Sequence, residues 1–284
     1  MNTRLRRKRI LKTTLLYLAV FALVISILAP FTWLIISSLA STRDLTTLPL
    51  SWLPPHASWS RYTEIMFGPS GETFRYGLRN SIAVASLSTC ISLIAAIFAA
   101  YSLSRFPGKV RSSLLYVMLG TYMMPPVALL LSLYIIIRSL HLLNTVIGLA
   151  LVYCTFLTPF LTWILKGFFD SIPKDLEEAA QVDGASRIRT LFLIVIPLAM
   201  PGIVAALLLG LLLAWDEFFY ALIFTSTNAS TTLPVAIASF TKRHAVDYGM
   251  MAAGGVVAAM PPVIVAIFAQ KHLISGLTKG GVKG

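Results

Sequence analysis

Along the chain, long uncharged apolar runs alternate with shorter polar segments. Six runs stand out, at 13–39, 80–104, 112–137, 142–165, 200–224 and 248–270. A helix needs about 20 apolar residues to cross a hydrocarbon core of about 30 Å. The pattern therefore predicts an all-α polytopic membrane protein with six transmembrane helices. An even number of crossings puts both termini on the same side. The fifth run is the one that carries acids, the adjacent pair Asp216 and Glu217.

Composition sharpens this picture. Of 284 residues 57% are hydrophobic and 12% are charged, and the mean hydropathy is +0.82. Soluble domains carry about 25% charged residues, so a water-facing globular surface is excluded. The net charge of +12 reads as membrane orientation before nucleic-acid binding, because Lys and Arg accumulate in cytoplasmic loops. Six of them sit in the N-terminal tail (residues 4–12), three follow the second run (Arg105, Lys109, Arg111), four follow the fourth (Lys166, Lys174, Arg187, Arg189) and three lie in the C-terminal tail (Lys271, Lys279, Lys283). The opposite side holds seven. The richer side is expected to be cytoplasmic, with both termini inside. The expected organisation is a basic tail over 1–12, a transmembrane domain over 13–272 and a second cytoplasmic tail over 273–284. The first run is too long for a cleavable signal, whose apolar core spans about 7–15 residues. Cys90 and Cys154 lie inside apolar runs, which argues against a disulfide framework. The longest outer loop, about 41–79, carries Trp52, Trp59 and Tyr62, candidates for an interfacial aromatic belt. No internal repeat is evident.

The inner loop around 170–197, FFDSIPKDLEEAAQVDGASRIRTLFLIVIP, carries more structure than a connector. Pro173 suits the first turn of a helix. Asp175, Glu177 and Glu178 follow where negative charge complements the helix dipole. Leu176, Ala179 and Ala180 fall at i, i+3 and i+4 on one small face. Gly184 fits a C′ position, Ser186 is placed to cap a second helix, and Pro197 and Pro201 are expected to break the chain before the fifth crossing. The prediction is a helix-turn-helix on the cytoplasmic face. Membrane-surface helices carry basic polar faces and bulky apolar residues; an acidic helix with alanines suits a protein groove instead.

Here the sequence resembles the permease subunits of binding-protein-dependent ABC importers. Glu178-Ala179-Ala180, three residues, Gly184, nine residues and Ile194-Val195-Ile196-Pro197 are similar to that family's EAA motif, with Ile196 where Leu is usual. HLLNTVIGLALVY, LKGFFDSIPKDLEEAA, ISGLTKGGVKG and WDEFFYALIF (Asp216 where Asn is common) resemble the carbohydrate-uptake, maltose-type branch, and the likeness covers about 80–284. The resemblance implies a coupling helix that docks into a dimer of separate ATPase subunits, with Glu177, Glu178, Ala179, Ala180, Asp183 and Gly184 as its coupling residues. It implies a second, different permease subunit and an extracytoplasmic solute-binding protein as further partners, in a bacterial or archaeal cytoplasmic (inner) membrane. ATP and magnesium are then expected on the ATPase, with no cofactor bound by this chain.

The chain lacks a phosphate-cradling G-x-x-x-x-G-K-[ST] loop; Gly108-Lys109 lacks the upstream Gly and the Ser/Thr. The four histidines, His56, His141, His244 and His272, show no metal-ligand spacing. A catalytic role is not expected.

For the cargo path, charges inside a bilayer usually face a bundle interior or a cavity. Asp216 and Glu217, set about 100° apart if helical, together with Trp215, Phe219 and Tyr220, offer polar groups and aromatic faces suited to a sugar. Pairing of one acid with a basic group is the favoured alternative to direct cargo contact. Tyr122 and Met123 precede Met124, Pro125 and Pro126, and paired prolines break or kink a helix; broken helices near the midplane often mark transport sites, or simply a packing kink. Pro261-Pro262 is similar. Asn80-Ser81 either caps the second crossing or lines a vestibule, and the cap is favoured. Small residues in the fifth and sixth runs, Ala206, Gly210 and Gly249 to Ala258, favour close helix packing. The leading expectation is an ABC importer permease for a carbohydrate (sugar, oligosaccharide, polyol or glycoside). The alternatives are a permease for another small solute and an ion-coupled transporter using Asp216 or Glu217.

Overall fold

A computed structural model describes residues 3–46, 52–106, 108–242 and 245–281, of which 3–9, 109–112, 242, 245–246 and 268–281 by their backbone alone. The side chains of Arg4, Arg6, Arg7, Lys8, Arg9, Lys109, Arg111, Lys242, Arg243, His244, Lys271, His272, Lys279 and Lys283 lie outside the described side chains. In order, the helices are α1 (Thr3–Leu39), α2 (Thr42–Thr46), α3 (Ser60–Phe67), α4 (Glu72–Arg105), α5 (Lys109–Met123), α6 (Pro126–Ser139), α7 (Val146–Asp170), α8 (Asp175–Val182), α9 (Arg187–Thr190), α10 (Ile196–Trp215), α11 (Phe219–Phe224), α12 (Leu233–Ala238) and α13 (Tyr248–Gly281). The strands are β1 (Thr241–Lys242) and β2 (Ala245–Val246), a two-residue antiparallel ladder.

Among the described residues, five helices are long and apolar enough to cross a membrane, and a sixth crossing exists if the broken pair α5 and α6 is one span. The third crossing, expected over 112–137, is broken at its proline pair as the sequence predicts, and it bends by 96° there. The residue before a proline is pushed out of the α region. Met124 is extended at ψ 136° and so is Pro125 at ψ 133°, each preceding a proline, while Pro126 opens α6 at its first turn. Two corrections run the other way. Pro197 and Pro201 do not break the chain: a π-helical turn over Leu191–Val195 links α9 to α10, and the helix runs on from Arg187 to Trp215. The wider turn carries the ladder past the missing N–H of Pro197. Pro261 and Pro262 also lie inside an unbroken α13.

Contacts divide the chain into two units, residues 1–71 with 239–257 and residues 72–238 with 258–284. In the first, residues 10–32 of α1 are exposed throughout. Its C-terminal carbonyls need partners, and the Arg61 guanidinium donates to Ala40 O, to Ser38 O at 3.4 Å and to Thr42 Oγ1 at 3.1 Å. The Tyr62 hydroxyl lies 2.6 Å from Ser38 Oγ, and Leu34 packs on Gly255.

The second unit is built on α4, α7 and α10. Val84 and Ala85 of α4 cluster with Leu149, Val152 and Leu157 of α7 and Ala214 of α10. Ala96, Ala100 and Tyr101 cluster with Leu161, Leu165 and Phe169 and with Leu191, Val195, Ala199 and Ile203. So α4 and α7 run parallel and α10 runs against them, as alternating crossings require. Gly210 sits where a Cβ would lie 2.9 Å from Thr89 Cγ2, which is the close approach small residues permit.

Asn80 and Ser81 do not cap a helix, because α4 already starts at Glu72. They serve the backbone of another segment instead. Asn80 Nδ2 donates to Asn228 O at 3.0 Å and Thr231 O at 2.9 Å, and Ser81 Oγ accepts Leu233 N–H at 2.8 Å. Nearby, Asn144 in the left-handed region (φ 57°) accepts the N–H groups of Ser226 and Thr227 at 2.9 and 3.0 Å. These amides hold the 225–232 loop at the end of the bundle opposite Arg105.

Candidate functional site

The elbow is built from local signals. Helix α8 ends at Val182, and Gly184 adopts φ +85°. Gly184 N–H donates to Gln181 O at 3.0 Å and Ala185 N–H to Ala180 O at 2.9 Å. That double bond pattern is the Schellman motif, which needs a left-handed residue at C′. The Ser186 hydroxyl then accepts Arg189 N–H at the start of α9. The predicted helix, turn and helix are all present.

The structure separates the coupling candidates into two faces. Glu178, Ala179, Asp183 and Gly184 are exposed, and Ala180 is half-buried. Leu176, Val182 and Ile188 stand beside them, 45%, 87% and 67% exposed. The outer surface is therefore small, apolar and rimmed with acid. Glu177 points the other way and is buried. Its carboxylate accepts the Tyr101 hydroxyl at 2.9 Å and the Arg105 guanidinium. Arg105 and Tyr101 were not among the sequence candidates, because their contacts with Glu177 span more than 70 residues of chain. A cleft of about 220 Å³ lies there, lined by Tyr101, Arg105, Phe106, Lys174, Glu177, Glu178, Gln181 and Arg187. The Arg187 guanidinium sits 4.5 Å above the Phe106 ring.

The acids of the fifth crossing are not on a helix. Helix α10 ends at Trp215, and 216–218 are non-helical before the short α11. Asp216 is exposed. Among the described residues Glu217 pairs with no basic group; its two oxygens accept Tyr220 N–H at 2.8 Å and Ala221 N–H at 3.1 Å. It satisfies the unpaired donors of the first turn of α11, which explains a carboxylate at this depth without a cation. Trp215 is also structural. Pro262 has no N–H to give the carbonyl four residues back, Ala258 O, and Trp215 Nε1 donates to that oxygen at 3.2 Å.

The aromatic candidates meet on one face of α7. Tyr122 stacks on Phe160 (centroids 5.5 Å, 20° between planes), and Tyr220 stacks on Phe156 (6.2 Å, 8°). Phe156 and Phe160 are i and i+4, so they form one ladder. Phe219 and Phe224 add edge contacts to Tyr220. Tyr122 and Met123 are exposed, 38% and 81%, whereas Tyr220 is buried. Phe156 and Phe160 escaped the sequence reading because their i, i+4 spacing alone is indistinguishable from core packing.

The chain's residues 91–279 match the family described as "Binding-protein-dependent transport system inner membrane component". It is similar to the sulfoquinovosyl glycerol transport system permease protein of Agrobacterium fabrum (37% identity, covering 94% of this chain and 93% of the relative). It is equally similar to the trehalose/maltose transport system permease protein of Thermococcus litoralis (37%, covering 98% and 99%). The trehalose transport system permease protein of Mycobacterium tuberculosis is 36% identical, covering 90% and 93%. Among solved structures, a chain of a bacterial ABC transporter that imports the acidic polysaccharide alginate has the same fold, with TM-score 0.77 at 22% identity over 95% of this chain and 98% of that one. The chain thus belongs to the family of binding-protein-dependent transport system inner membrane components, as a membrane-embedded, non-catalytic permease subunit.

Proposed function

We propose that this permease serves an ATP-driven importer of a carbohydrate, delivered by an extracytoplasmic binding protein across a bacterial or archaeal cytoplasmic membrane. ATP and magnesium are handled by a separate ATPase dimer, and a second, different permease subunit completes the pore. The observation that carries the reading is the elbow's outer surface, where Glu178, Ala179, Asp183 and Gly184 stand exposed beside Leu176 and Val182. Alanines admit close approach of a groove, and Glu178 is free to pair with a basic group. The sugar class rests on the named relatives, which transport sulfoquinovosyl glycerol, trehalose and maltose. The cargo path runs along the aromatic ladder, with Tyr122 and Phe160 offering ring faces, Met123 an apolar side chain and Asp216 a polar group, while Trp215, Glu217, Phe219 and Tyr220 hold the wall in place. Glu217 is read as structural, because its two oxygens accept the backbone amides that open α11.

The test is the four-component complex in proteoliposomes with labelled trehalose and maltose. Ala179→Leu, which adds bulk at the outer face without touching the core, is expected to reduce ATPase copurification at least tenfold and abolish uptake. Undiminished copurification refutes the docking face. Uptake driven by an ion gradient without ATP refutes the importer, and failure of every sugar to compete refutes the cargo class.

A further inference from the structure

We infer that Arg105 is a positioning residue for energy coupling: through Glu177 it clamps the coupling elbow to the end of α4, so that α8 and α4 move as one body. The inference rests on the proposed ATPase docking at α8.

Helix α8 has little apolar grip on the bundle. Leu176 and Val182, its large apolar side chains, are 45% and 87% exposed. Its inward side presents Glu177, a charge that is expensive to bury unless it is paired and fully hydrogen-bonded. Both conditions are met. The side chains of Arg105 and Glu177 are 8% and 5% exposed. The Tyr101 hydroxyl donates to the second carboxylate oxygen at 2.9 Å. Arg105 is itself held from the α7 side, with Nη2 donating to Ile172 O at 3.2 Å. Its Nη1 donates to Ser104 Oγ at 3.0 Å, and Ser104 Oγ in turn donates to Asp170 Oδ1 at 2.6 Å. A single guanidinium therefore joins the end of α4, the end of α7 and the first turn of α8.

A buried pair of this kind contributes little net stability against an apolar replacement, yet removing one partner leaves the other charge stranded. What it supplies is a direction-specific link. Without it, α8 is attached by the 171–174 segment and the Gly184 turn. With it, a displacement of α8 reaches α4 at Arg105, and α4 is packed along its length against α7 and α10.

The experiment uses the full complex with Cys154→Ser and Gln181→Cys, spin-labelled at residue 181 on α8 and at the native, exposed Cys90 on α4. Residue 90 lies 15 positions before Arg105, about 22 Å along the helix, within range of double electron–electron resonance. With Arg105 intact, the inter-label distance is expected to be the same, with one narrow distribution, in the nucleotide-free and the ATP–vanadate-trapped complex. With Arg105→Met, the distribution is expected to broaden and to shift on trapping, while the ATPase still copurifies because the outer face is untouched. Tyr101→Phe, which keeps the packing, is expected to broaden it to an intermediate degree. A trapped-state shift with Arg105 intact, or an unchanged distribution in Arg105→Met, overturns the inference. Loss of ATPase binding in Arg105→Met with retention in Tyr101→Phe and no broadening there also overturns it, assigning Arg105 to folding alone. Loss of copurification in Ala179→Leu is the separate readout for docking, so the two ideas fail independently.

Discussion

Substituting Trp215 by Phe isolates one hydrogen bond inside the bundle. Pro262 removes the N–H that would reach Ala258 O, and the Trp215 indole replaces it across 3.2 Å. Trp215 is 9% exposed, so water does not compensate the loss. An unsatisfied buried carbonyl costs about 1–3 kcal/mol in soluble proteins, while interhelical bonds in membrane proteins average about 0.6 with a maximum near 1.7. The lower range applies, because a carbonyl in an unbroken α13 has helix neighbours to lean on; about 1 kcal/mol is expected, plus a packing loss from the smaller ring. The cavity beside Trp215, about 180 Å³ and lined by Leu211, Leu212, Pro261 and Pro262 among others, gives the ring room and limits the strain of any repacking. Thermal unfolding in detergent reads this as a fall of about 2–4 °C per kcal/mol for a chain of this size class. The decisive variant is Pro262→Ala, which restores a backbone N–H aimed at Ala258 O. In that background Trp215→Phe should lose only its packing cost, and the coupling energy of the cycle equals the hydrogen bond. If Trp215→Phe is as costly with Pro262→Ala as without it, the indole is not substituting for the proline's missing donor.

Three further outcomes follow from the geometry. Gly184→Ala finds no steric neighbour within 4 Å but must hold φ +85°, so it should destabilise the elbow by about 1–2 kcal/mol; Gly184→Asn should cost less, and ATPase retention at rising detergent stringency separates the two. Asn80→Ala strands the carbonyls of Asn228 and Thr231 and should cost about 1–3 kcal/mol, visible as faster proteolysis of the 225–232 loop. Glu217→Ala unpairs two N–H groups of α11 and should lower the detergent unfolding midpoint by the equivalent of about 0.5–2 kcal/mol, while leaving the pH profile of uptake where it was; a displaced profile would assign Glu217 to proton coupling instead.

The crossings were legible because hydrocarbon allows few solutions, and length plus absence of charge nearly specifies them. The elbow was legible because Gly184 and Ser186 act within five residues of themselves. What stayed hidden was pairing at long range. Asn80 reads as a cap when seen locally, yet its partners are about 150 residues away at 228 and 231. The two proline pairs make the same point. Pro125-Pro126 breaks its span and Pro261-Pro262 does not, although the dipeptide is identical, because a donor on another helix stands beside the second. Asp216 and Glu217 were read as a helical pair since nothing in their neighbours announces that α10 stops at Trp215.

A single rule orders the polar residues met inside the second unit. Where the ladder of backbone bonds is interrupted, a side chain stands in for the missing group: Trp215 donates at Pro262, Glu217 accepts at the start of α11, and Asn80, Ser81 and Asn144 secure the 225–232 loop. This is what a low-dielectric surrounding demands, since a backbone group left without a partner is costly there. Residues so engaged hold their segments in place. Removing them from the cargo candidates leaves Asp216, Tyr122 and Met123, which are exposed. The same subtraction on the elbow removes Glu177, which faces Arg105, and leaves Glu178 and Ala179 facing outward.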